Sequence, residues 1–281
     1  MNFDPRVTPA RSDLAAAHLK GKVEAERFVE GIMQQVLAPT ATAFSQPRPD
    51  APMVSEALYG ERVTVYETTG EGWAWGQMEA DGYIGWFSAN AFGPVGKPAT
   101  HRVTALRTFV FDTPDIKRAP AAALSFASQI AVSGSQGEFV TTDAGFIPAP
   151  HVAPLAHREP DFVATARRFL GTPYLWGGRS STGLDCSGLV QLALAAAGRS
   201  CPRDSDMQQA ALGERIPFSG DLAALRRGDL LFWKGHVGFV SDAGRFLHAN
   251  AFHLAAAEEP LAEAVARIKK SGLEILEARR V

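Results

Sequence analysis

The hydrophobic positions of the chain change their spacing along its length. Between Asp13 and Leu37, apolar residues recur at spacings that suit a helix, as in Phe28, Ile32 and Val36. Pro39 follows, and proline ends helices. We therefore expect an N-terminal extension with one long helix over residues 1–39.

After this segment the pattern becomes one of short alternating runs. Arg62–Tyr66 alternates polar and apolar residues, and the turn Asp81-Gly82 precedes the apolar run Tyr83–Phe87. The alternation recurs less clearly beyond residue 99, and prolines mark a linker near residue 150. Short strands with Gly and Asp turns predict two small all-β barrels, over residues 40–98 and 99–155.

The last segment, residues 156–281, combines helical and strand patterns. Helices followed by neighbouring strands predict an α+β layer and argue against alternating βαβ units. We expect helices at 161–170, 186–197 and 261–270, and strands at 230–233, 237–240, 245–249 and 273–278.

Composition narrows the class of protein. The chain has 281 residues, 46% of them hydrophobic and 21% charged, which suits a folded protein of two or three domains. A net charge of -2 gives no basic surface for a nucleic acid. The start of the chain lacks a secretory signal, and no apolar run is long enough for a membrane span. We expect a cytoplasmic protein without nucleic-acid or membrane partners, whose two cysteines stay unpaired.

The candidate nucleophile is Cys186, at the predicted start of an apolar helix that follows a glycine-rich loop. A helix N-terminus carries partial positive charge, which favours the reactive thiolate. The alternative is a small buried side chain, because free cysteines are commonly buried. The polar neighbours Asp185 and Ser187 favour a catalytic residue.

Two histidines are candidate bases, and the register of their strands decides whether they lie on the same face of the sheet. His236 and His248 lie on strands joined through residues 241–244. Side chains alternate along a strand, so a three-residue loop puts both rings on one face and a two-residue loop does not. A working pair therefore predicts an odd loop. His253 is a rival to His248, and either histidine could instead be a structural residue.

Metal chemistry is the competing interpretation. Cys186, His236, His248 and an aspartate could bind zinc, but His248 and His253 are the only close-spaced ligand pair. We expect neither a metal nor a cofactor.

Five linked motifs resemble those of the NlpC-type cell-wall cysteine peptidases, which have a papain-like fold. They are Thr172–Gly178, Leu184–Gly188, Pro202–Ser205, Arg227–Phe232 and Gly235–Gly238, and the similarity covers most of residues 158–281. Residues 55–61 and 81–86 are similar to a bacterial SH3-like domain. Two such domains ahead of a peptidase resemble the cytoplasmic γ-D-glutamyl-L-diamino acid endopeptidases that recycle murein peptides.

The resemblance implies roles for particular residues. Cys186 matches the nucleophile, His236 the base and His248 the residue that orients the base. Backbone amides at the start of the cysteine helix would stabilise the oxyanion. The implied reaction is acyl transfer at the γ-carbonyl of D-glutamate, with no cofactor.

The resemblance also implies a pocket for the free amine of an N-terminal L-alanine. Tyr174, Asp185 and Ser187 match its residues, and Tyr83 or Trp75 of the first SH3-like domain would help to close it. Asp185 could instead be only the N-cap of the cysteine helix.

The expected function is hydrolysis of L-Ala-γ-D-Glu-diamino acid peptides. Two alternatives remain. One is a murein-binding scaffold with an inert peptidase domain, and the other is a papain-like amidase or acyltransferase acting on intact wall or lipid. The sequence leaves the oligomeric state and the preferred diamino acid open.

Overall fold

The computed structural model describes residues 3–218 and 220–281. The chain divides into two compact units, Met1–His157 and Arg158–Val281. Within these described ranges, every helix is too short or too polar to cross a membrane.

The first part of unit 1 is built around a seven-stranded sheet in the order β5-β4-β8-β7-β6-β3-β9. Two short strands that precede this sheet in the sequence, β1 and β2, pair with each other in parallel. A cluster of aromatic and aliphatic side chains, including Leu14, Trp75 and Trp86, is buried here. The strands are β1 (Leu14–Ala16), β2 (Arg27–Val29), β3 (Ile32–Val36), β4 (Thr40–Phe44), β5 (Met53–Leu58), β6 (Arg62–Thr68), β7 (Trp73–Met78), β8 (Ile84–Ser88) and β9 (Phe92–Gly93).

The predicted N-terminal helix is wrong. Its segment forms β1, β2, β3 and one 3₁₀ turn, Ala17–Leu19. Ile32 and Val36 lie four residues apart on one strand, β3, a spacing that strand alternation allows as well as a helix, while Phe28 lies on β2. Gly21 has a φ of +79°, which breaks the segment before a helix could extend.

The second part of unit 1 consists of three small antiparallel sheets, in the orders β13-β10-β17, β11-β12 and β14-β15-β16. Val103, Val110, Leu124, Ile130 and Ile147 form its buried cluster. Its strands are β10 (His101–Val103), β11 (Arg107–Val110), β12 (Ala122–Ser125), β13 (Gln129–Ile130), β14 (Val132–Gln136), β15 (Phe139–Thr142), β16 (Gly145–Pro148) and β17 (Val152–Pro154). The 3₁₀ turns of unit 1 after the first are Ala89–Ala91 and Ala149–His151.

Unit 2 combines a six-stranded antiparallel sheet with four helices, so the expected α+β class is confirmed. The sheet order is β20-β25-β21-β22-β23-β24, and a two-stranded sheet pairs β18 with β19. The elements are α1 (Phe162–Arg167), β18 (Arg179–Ser180), β19 (Gly183–Leu184), α2 (Cys186–Ala196), α3 (Ser205–Ala211), β20 (Glu214–Ile216), a 3₁₀ turn (Leu222–Ala224), β21 (Leu230–Trp233), β22 (His236–Asp242), β23 (Arg245–Asn250), β24 (Ala255–Pro260), α4 (Leu261–Lys270) and β25 (Glu277–Arg280).

The helix that begins with Cys186 is the centre of unit 2. Every residue of α2 except Ala195 is buried, and the helix packs against β22 and β23. Each fully buried Leu or Val side chain contributes about 1.5–3 kcal/mol of transfer free energy. The packing therefore fixes the first turn of α2 against the strands that carry the two histidines.

Most predicted elements of unit 2 are confirmed, but the short strands β18, β19 and β20 were not predicted. The last strand begins at Glu277 and not at Leu273. Helix α3 and strand β24 were not predicted, and β24 carries a residue of the candidate site.

Candidate active site

Asp185 begins the cysteine helix as its N-cap. Its Oδ1 accepts a hydrogen bond from the Gly188 amide at 2.7 Å, and its Oδ2 accepts one from the Gly177 amide at 2.9 Å. One carboxylate thus satisfies a helix donor and a donor of the preceding loop. The first turn, with Cys186 in it, is fixed to the loop by this side chain.

Glycines let the loop and the helix approach each other closely. A Cβ on Gly188 would lie 2.3 Å from the carbonyl oxygen of Gly178. A Cβ on Gly178 would lie 2.6 Å from the carbonyl oxygen of Gly183. These distances are below any real contact, so the glycine-rich motif is needed for backbone packing beside Cys186.

Arg203 neutralises Asp185. Its Nη1 donates to Asp185 Oδ1 at 3.0 Å, and its Nη2 donates to Oδ2 at 2.8 Å. The Arg203 side chain is 1% exposed and that of Asp185 is 11% exposed. Nη1 also donates to Ser187 Oγ at 2.9 Å, and Ser187 donates to Asp185 at 3.2 Å. The capping alternative for Asp185 is therefore present, and the charge of this carboxylate already has a partner.

Cys186 lies against the strand that carries His236. Its Sγ is 4.0 Å from the Gly235 carbonyl oxygen, and it also interacts with the Val237 amide. These two groups flank His236 in sequence, so the thiol faces the backbone on both sides of the histidine.

The surroundings of Cys186 oppose the thiolate that a helix N-terminus favours. Burial, followed by the charge of Asp185, raises the pKa of Cys186 to about 12. The amides of Val237 and Ser187 and the charge of Arg203 oppose this shift without cancelling it. Burial thus favours the neutral thiol in the resting site, and a base in the reaction itself would activate it.

The two histidines share one face of the sheet, as a working pair requires. Phe239 lies opposite Leu247 in the β22–β23 register. A Cβ on Gly238 would lie 2.7 Å from the Cβ of His248, so His236 is the diagonal neighbour of His248.

The reason for the shared face differs from the predicted three-residue loop. Asp242 pairs with Arg245 across a two-residue turn, and the register shifts between Val240 and Asp242. This bulge at Ser241 adds the odd residue, while Gly244 has a φ of +67° in the turn. A two-residue turn alone would have pointed His248 away.

Four side chains form a continuous polar chain that begins at His236. His236 Nε2 lies 2.8 Å from His248 Nδ1, and His248 Nε2 lies 2.8 Å from Glu259 Oε1. Arg267 donates to the same Glu259 oxygen. The pair His236–His248 is the one predicted from the sequence; Glu259 and Arg267 were missed.

Loss of hydration favours the neutral form of both histidines, of which His248 is fully buried and His236 partly buried. It lowers the pKa of His236 to about 3, helped by the charges of His248 and Arg267. It also lowers the pKa of His248, although the Glu259 hydrogen bond opposes the shift. Burial alone would raise the pKa of Glu259, but its hydrogen bond with His248 and nearby Arg267 hold it below the usual value.

Tyr174 lies beside the nucleophile, where the amine pocket was predicted. Burial raises its pKa, and the charges of Cys186 and Asp185 add to the shift. Its amide donates to the Leu254 carbonyl at 2.9 Å. The substrate contacts of Tyr174, Asp185 and Ser187 stay predictions; a substrate ammonium would share the Asp185 carboxylate with Arg203.

Trp75 and Tyr83 of unit 1 are buried, at 4% and 5% exposure. The Trp75 ring is 5.7 Å from that of Tyr66, and the Arg11 guanidinium lies 4.4 Å from its centroid. These contacts explain Trp75 as a core residue. The predicted role of either residue in closing a pocket gains no support from this burial.

His253 contributes to a group of three potential ligands. One atom each of His248, His253 and Glu259 lies within 4.8 Å of the others. His253 Nδ1 lies 3.1 Å from Asn250 Oδ1, and Arg267 contacts Glu259. A guanidinium on the only carboxylate of the group disfavours a cation there, since the two positive charges would repel each other.

Comparison with known proteins agrees with this geometry. Residues 171–265 match the NlpC/P60 family, and residues 44–92 match the bacterial dipeptidyl-peptidase Sh3 domain. The chain is 29% identical over 220 residues to the gamma-D-glutamyl-L-lysine dipeptidyl-peptidase of Bacillus subtilis (strain 168), covering 69% of this chain and 71% of that protein.

Two further relatives differ in how much they cover. Dipeptidyl-peptidase 6 of Lysinibacillus sphaericus is 38% identical over 96 residues, which is 34% of this chain and 33% of that protein. The crystal structure of an NlpC/P60 family protein from Bacillus cereus ATCC 10987 has a TM-score of 0.72 at 20% identity and covers 89% of this chain and 99% of that one. This last similarity is one of fold. The chain therefore carries an NlpC/P60 cysteine peptidase domain, with a bacterial SH3 domain ahead of it.

Proposed function

We propose that this enzyme hydrolyses the bond between D-glutamate, through its γ-carboxyl, and a diamino acid in murein peptides. The observation that carries the proposal is the row Cys186, His236, His248, with a 2.8 Å contact between the histidines, inside an NlpC/P60 domain. The Bacillus subtilis relative, whose name specifies γ-D-glutamyl-L-lysine, supports the substrate class.

The reaction would begin with proton transfer from Cys186 to His236 as sulfur attacks the γ-carbonyl carbon. The carbonyl electron pair moves to oxygen, where backbone amides at the start of α2 would donate hydrogen bonds. When the tetrahedral intermediate collapses, the C–N bond breaks and the His236 imidazolium gives its proton to the leaving amine. His236 then takes a proton from water as the water oxygen attacks the thioester carbon; the C–S bond breaks, the free acid leaves, and the proton returns from His236 to the Cys186 sulfur.

We further propose that the substrate carries a free N-terminal L-alanine and that Tyr174, Asp185 and Ser187 line its site. All three lie next to Cys186, and a buried ammonium needs acceptors. Arg203 donates hydrogen bonds to both oxygens of Asp185, so this carboxylate is already paired. We therefore assign the substrate amine mainly to the hydroxyl oxygens of Tyr174 and Ser187.

The finer architecture belongs to the same proposal. Residues 156–281 would have a papain-like arrangement, with helix α2 packed on the sheet that carries the histidines. Residues 40–98 and 99–155 would be two SH3-like barrels, the second divergent. The cellular role would be recycling of murein fragments in the cytoplasm.

The scaffold alternative is disfavoured by one observation. An inert domain has no need of these three side chains, yet Cys186 lies against the backbone next to His236, and His236 contacts His248 at 2.8 Å. An amidase or acyltransferase acting on intact wall or lipid would use the same chemistry, so only substrates can separate it from the proposal.

Mass spectrometry of one incubation tests the proposal. The full chain is mixed with L-Ala-γ-D-Glu-meso-diaminopimelate, and we expect L-Ala-D-Glu and free diamino acid as products. Cys186→Ala is the control for contaminating activity. N-acetylation of the alanine should lower kcat/KM by about tenfold to a hundredfold, because polar groups of the site would lose a partner. If the enzyme leaves the free peptide intact but cleaves whole sacculi, the proposed recycling substrate is refuted.

A further inference from the structure

Glu259 is the residue of the site that the reaction does not directly use. It lies on β24 opposite Phe246, which places it on the same face as His248 and diagonal to it. Its side chain is 12% exposed and that of His248 is fully buried. The 2.8 Å contact between them is thus shielded from water, where hydrogen bonds to an ionised group are strong.

Arg267 is the second partner of this carboxylate. It lies on α4, which follows β24 directly, and donates to the oxygen that also faces His248. Its guanidinium stacks 4.1 Å from the centroid of the Phe252 ring. A guanidinium stays charged at any pH of interest and keeps its partner ionised. An ionised carboxylate can only accept hydrogen bonds.

Proton positions follow from this acceptor. Because Glu259 only accepts, His248 must carry its proton on Nε2. A neutral imidazole has one donor and one acceptor, so His248 Nδ1 accepts, and His236 must donate from Nε2. The lone pair of His236 is then on Nδ1, the ring nitrogen left for Cys186.

We propose that Glu259, held by Arg267, is a positioning residue that fixes the tautomers of His248 and His236 in series. The opposite arrangement would put the proton on His236 Nδ1. That nitrogen could then not take the thiol proton, and the nucleophile would lack a base.

The same arrangement serves the charged state. When the Cys186 proton moves to His236 Nδ1, the imidazolium has an N–H on both nitrogens. His248 Nδ1 still accepts from Nε2, and the negative charge of Glu259 lies one imidazole away. The proton stays on His236 until the leaving amine takes it, and His248 and Glu259 keep their own protonation states throughout.

Glu258 offers a matched control. It is the preceding residue on β24 and is 17% exposed, but it pairs with Arg167 at 2.7 Å on the other face. Glu258→Gln and Glu259→Gln therefore make the same chemical change one residue apart. Only the second should affect the histidines.

The proposal rests on the proposed function only for the roles of Cys186 and His236, so its main readouts need no substrate. In the full chain labelled with ¹⁵N-histidine, we expect wild type and Glu258→Gln to show His236 and His248 each protonated on Nε2. Glu259→Gln should show mixed protonation of both rings. In the same Glu259→Gln variant, the rate at which iodoacetamide alkylates Cys186 at fixed pH should fall.

Steady-state kinetics give the second readout. We expect Glu259→Gln to lower kcat by about 10- to 100-fold with little change in KM, since outer groups that orient a functional histidine have effects of this size. Arg267→Met, a more exposed site, should give a smaller loss, and Arg267→Lys should restore most of it. Unchanged histidine tautomers in Glu259→Gln, or equal effects of the two glutamine variants, would overturn the proposal. A wild type that shows the expected tautomers but cleaves no murein peptide would instead refute the proposed function alone.

Discussion

Arg203→Met is expected to destabilise the start of helix α2 strongly. Arg203 is 1% exposed and donates to both oxygens of Asp185, at 3.0 and 2.8 Å. Its removal leaves a buried carboxylate with the Gly177, Gly188 and Ser187 donors. Breaking one side of a buried ion pair costs about 3–5 kcal/mol, and the three remaining donors place the loss near the lower end, about 3 kcal/mol.

Asp185→Asn should lose a similar amount, because the asparagine amide group would face the guanidinium. The double variant Asp185→Asn/Arg203→Met should lose less than the sum of the single variants, by about 2 kcal/mol, since each single variant already breaks the pair. The Arg203 contacts therefore predict a loss of stability in Asp185→Asn beside any effect on activity.

Hydrogen exchange of the full chain measures the local free energy directly. Peptides that cover 186–196 report the opening of α2, and peptides from 40–98 are the internal control. Arg203 lowers the pKa of Cys186, so Arg203→Met should also slow alkylation of the thiol. Losses below about 1 kcal/mol, or strictly additive single variants, would refute the reasoning.

Four further outcomes are expected. The alkylation rate of Cys186 should rise with pH beyond pH 9, because burial raises its pKa to about 12; a plateau at lower pH would contradict this. Gly188→Ala should lower Tm and kcat/KM together, by about 1–3 kcal/mol in stability, since its Cβ would lie 2.3 Å from the Gly178 carbonyl; an unchanged Tm would contradict the close packing. The pKa of His236 falls from 6.5 to about 3 on folding, so the unfolded state binds more protons between these values and the free energy of unfolding should drop as pH falls through that window. This residue changes the free energy of unfolding by at most about 1.4 kcal/mol per pH unit. Urea titrations at several pH values should show a smaller dependence in His236→Asn, and an equal dependence in both proteins would argue against the shift. EDTA should leave turnover unchanged; inhibition that Zn²⁺ reverses would favour a metal at His248.

The catalytic half of the fold was accessible from the sequence because its signals agree with one another. Helix α2 has a capping aspartate, a continuous apolar interior and a glycine at its end, and each predicts the same element. The histidine register could be tested by parity alone. The N-terminal segment failed because its four-residue apolar spacing suits two structures, and the strand partner that decides between them is distant in sequence.

Glu259 could not be found in the same way. The run Ala255–Pro260 is rich in alanine and glutamate, which favour helices, yet it forms the edge strand β24. Glu259 lies beside His248 because β24 pairs with β23, and no local sequence pattern predicts that pairing. Arg203 was quoted only as part of a motif, and its role as the partner of Asp185 requires the three-dimensional contact.

The bulge at Ser241 has a consequence for insertions and deletions. Removing one residue between Val240 and Arg245, or adding one, would change the parity of the hairpin and move His248 to the opposite side of β23. A change of two residues would leave the parity intact. The length of a surface turn is thereby tied to hydrolysis, although none of its side chains belongs to the catalytic row. In NlpC/P60 domains with this hairpin, counting residues between the two histidines should distinguish chains that keep the second histidine beside the first from those that fold without this pair.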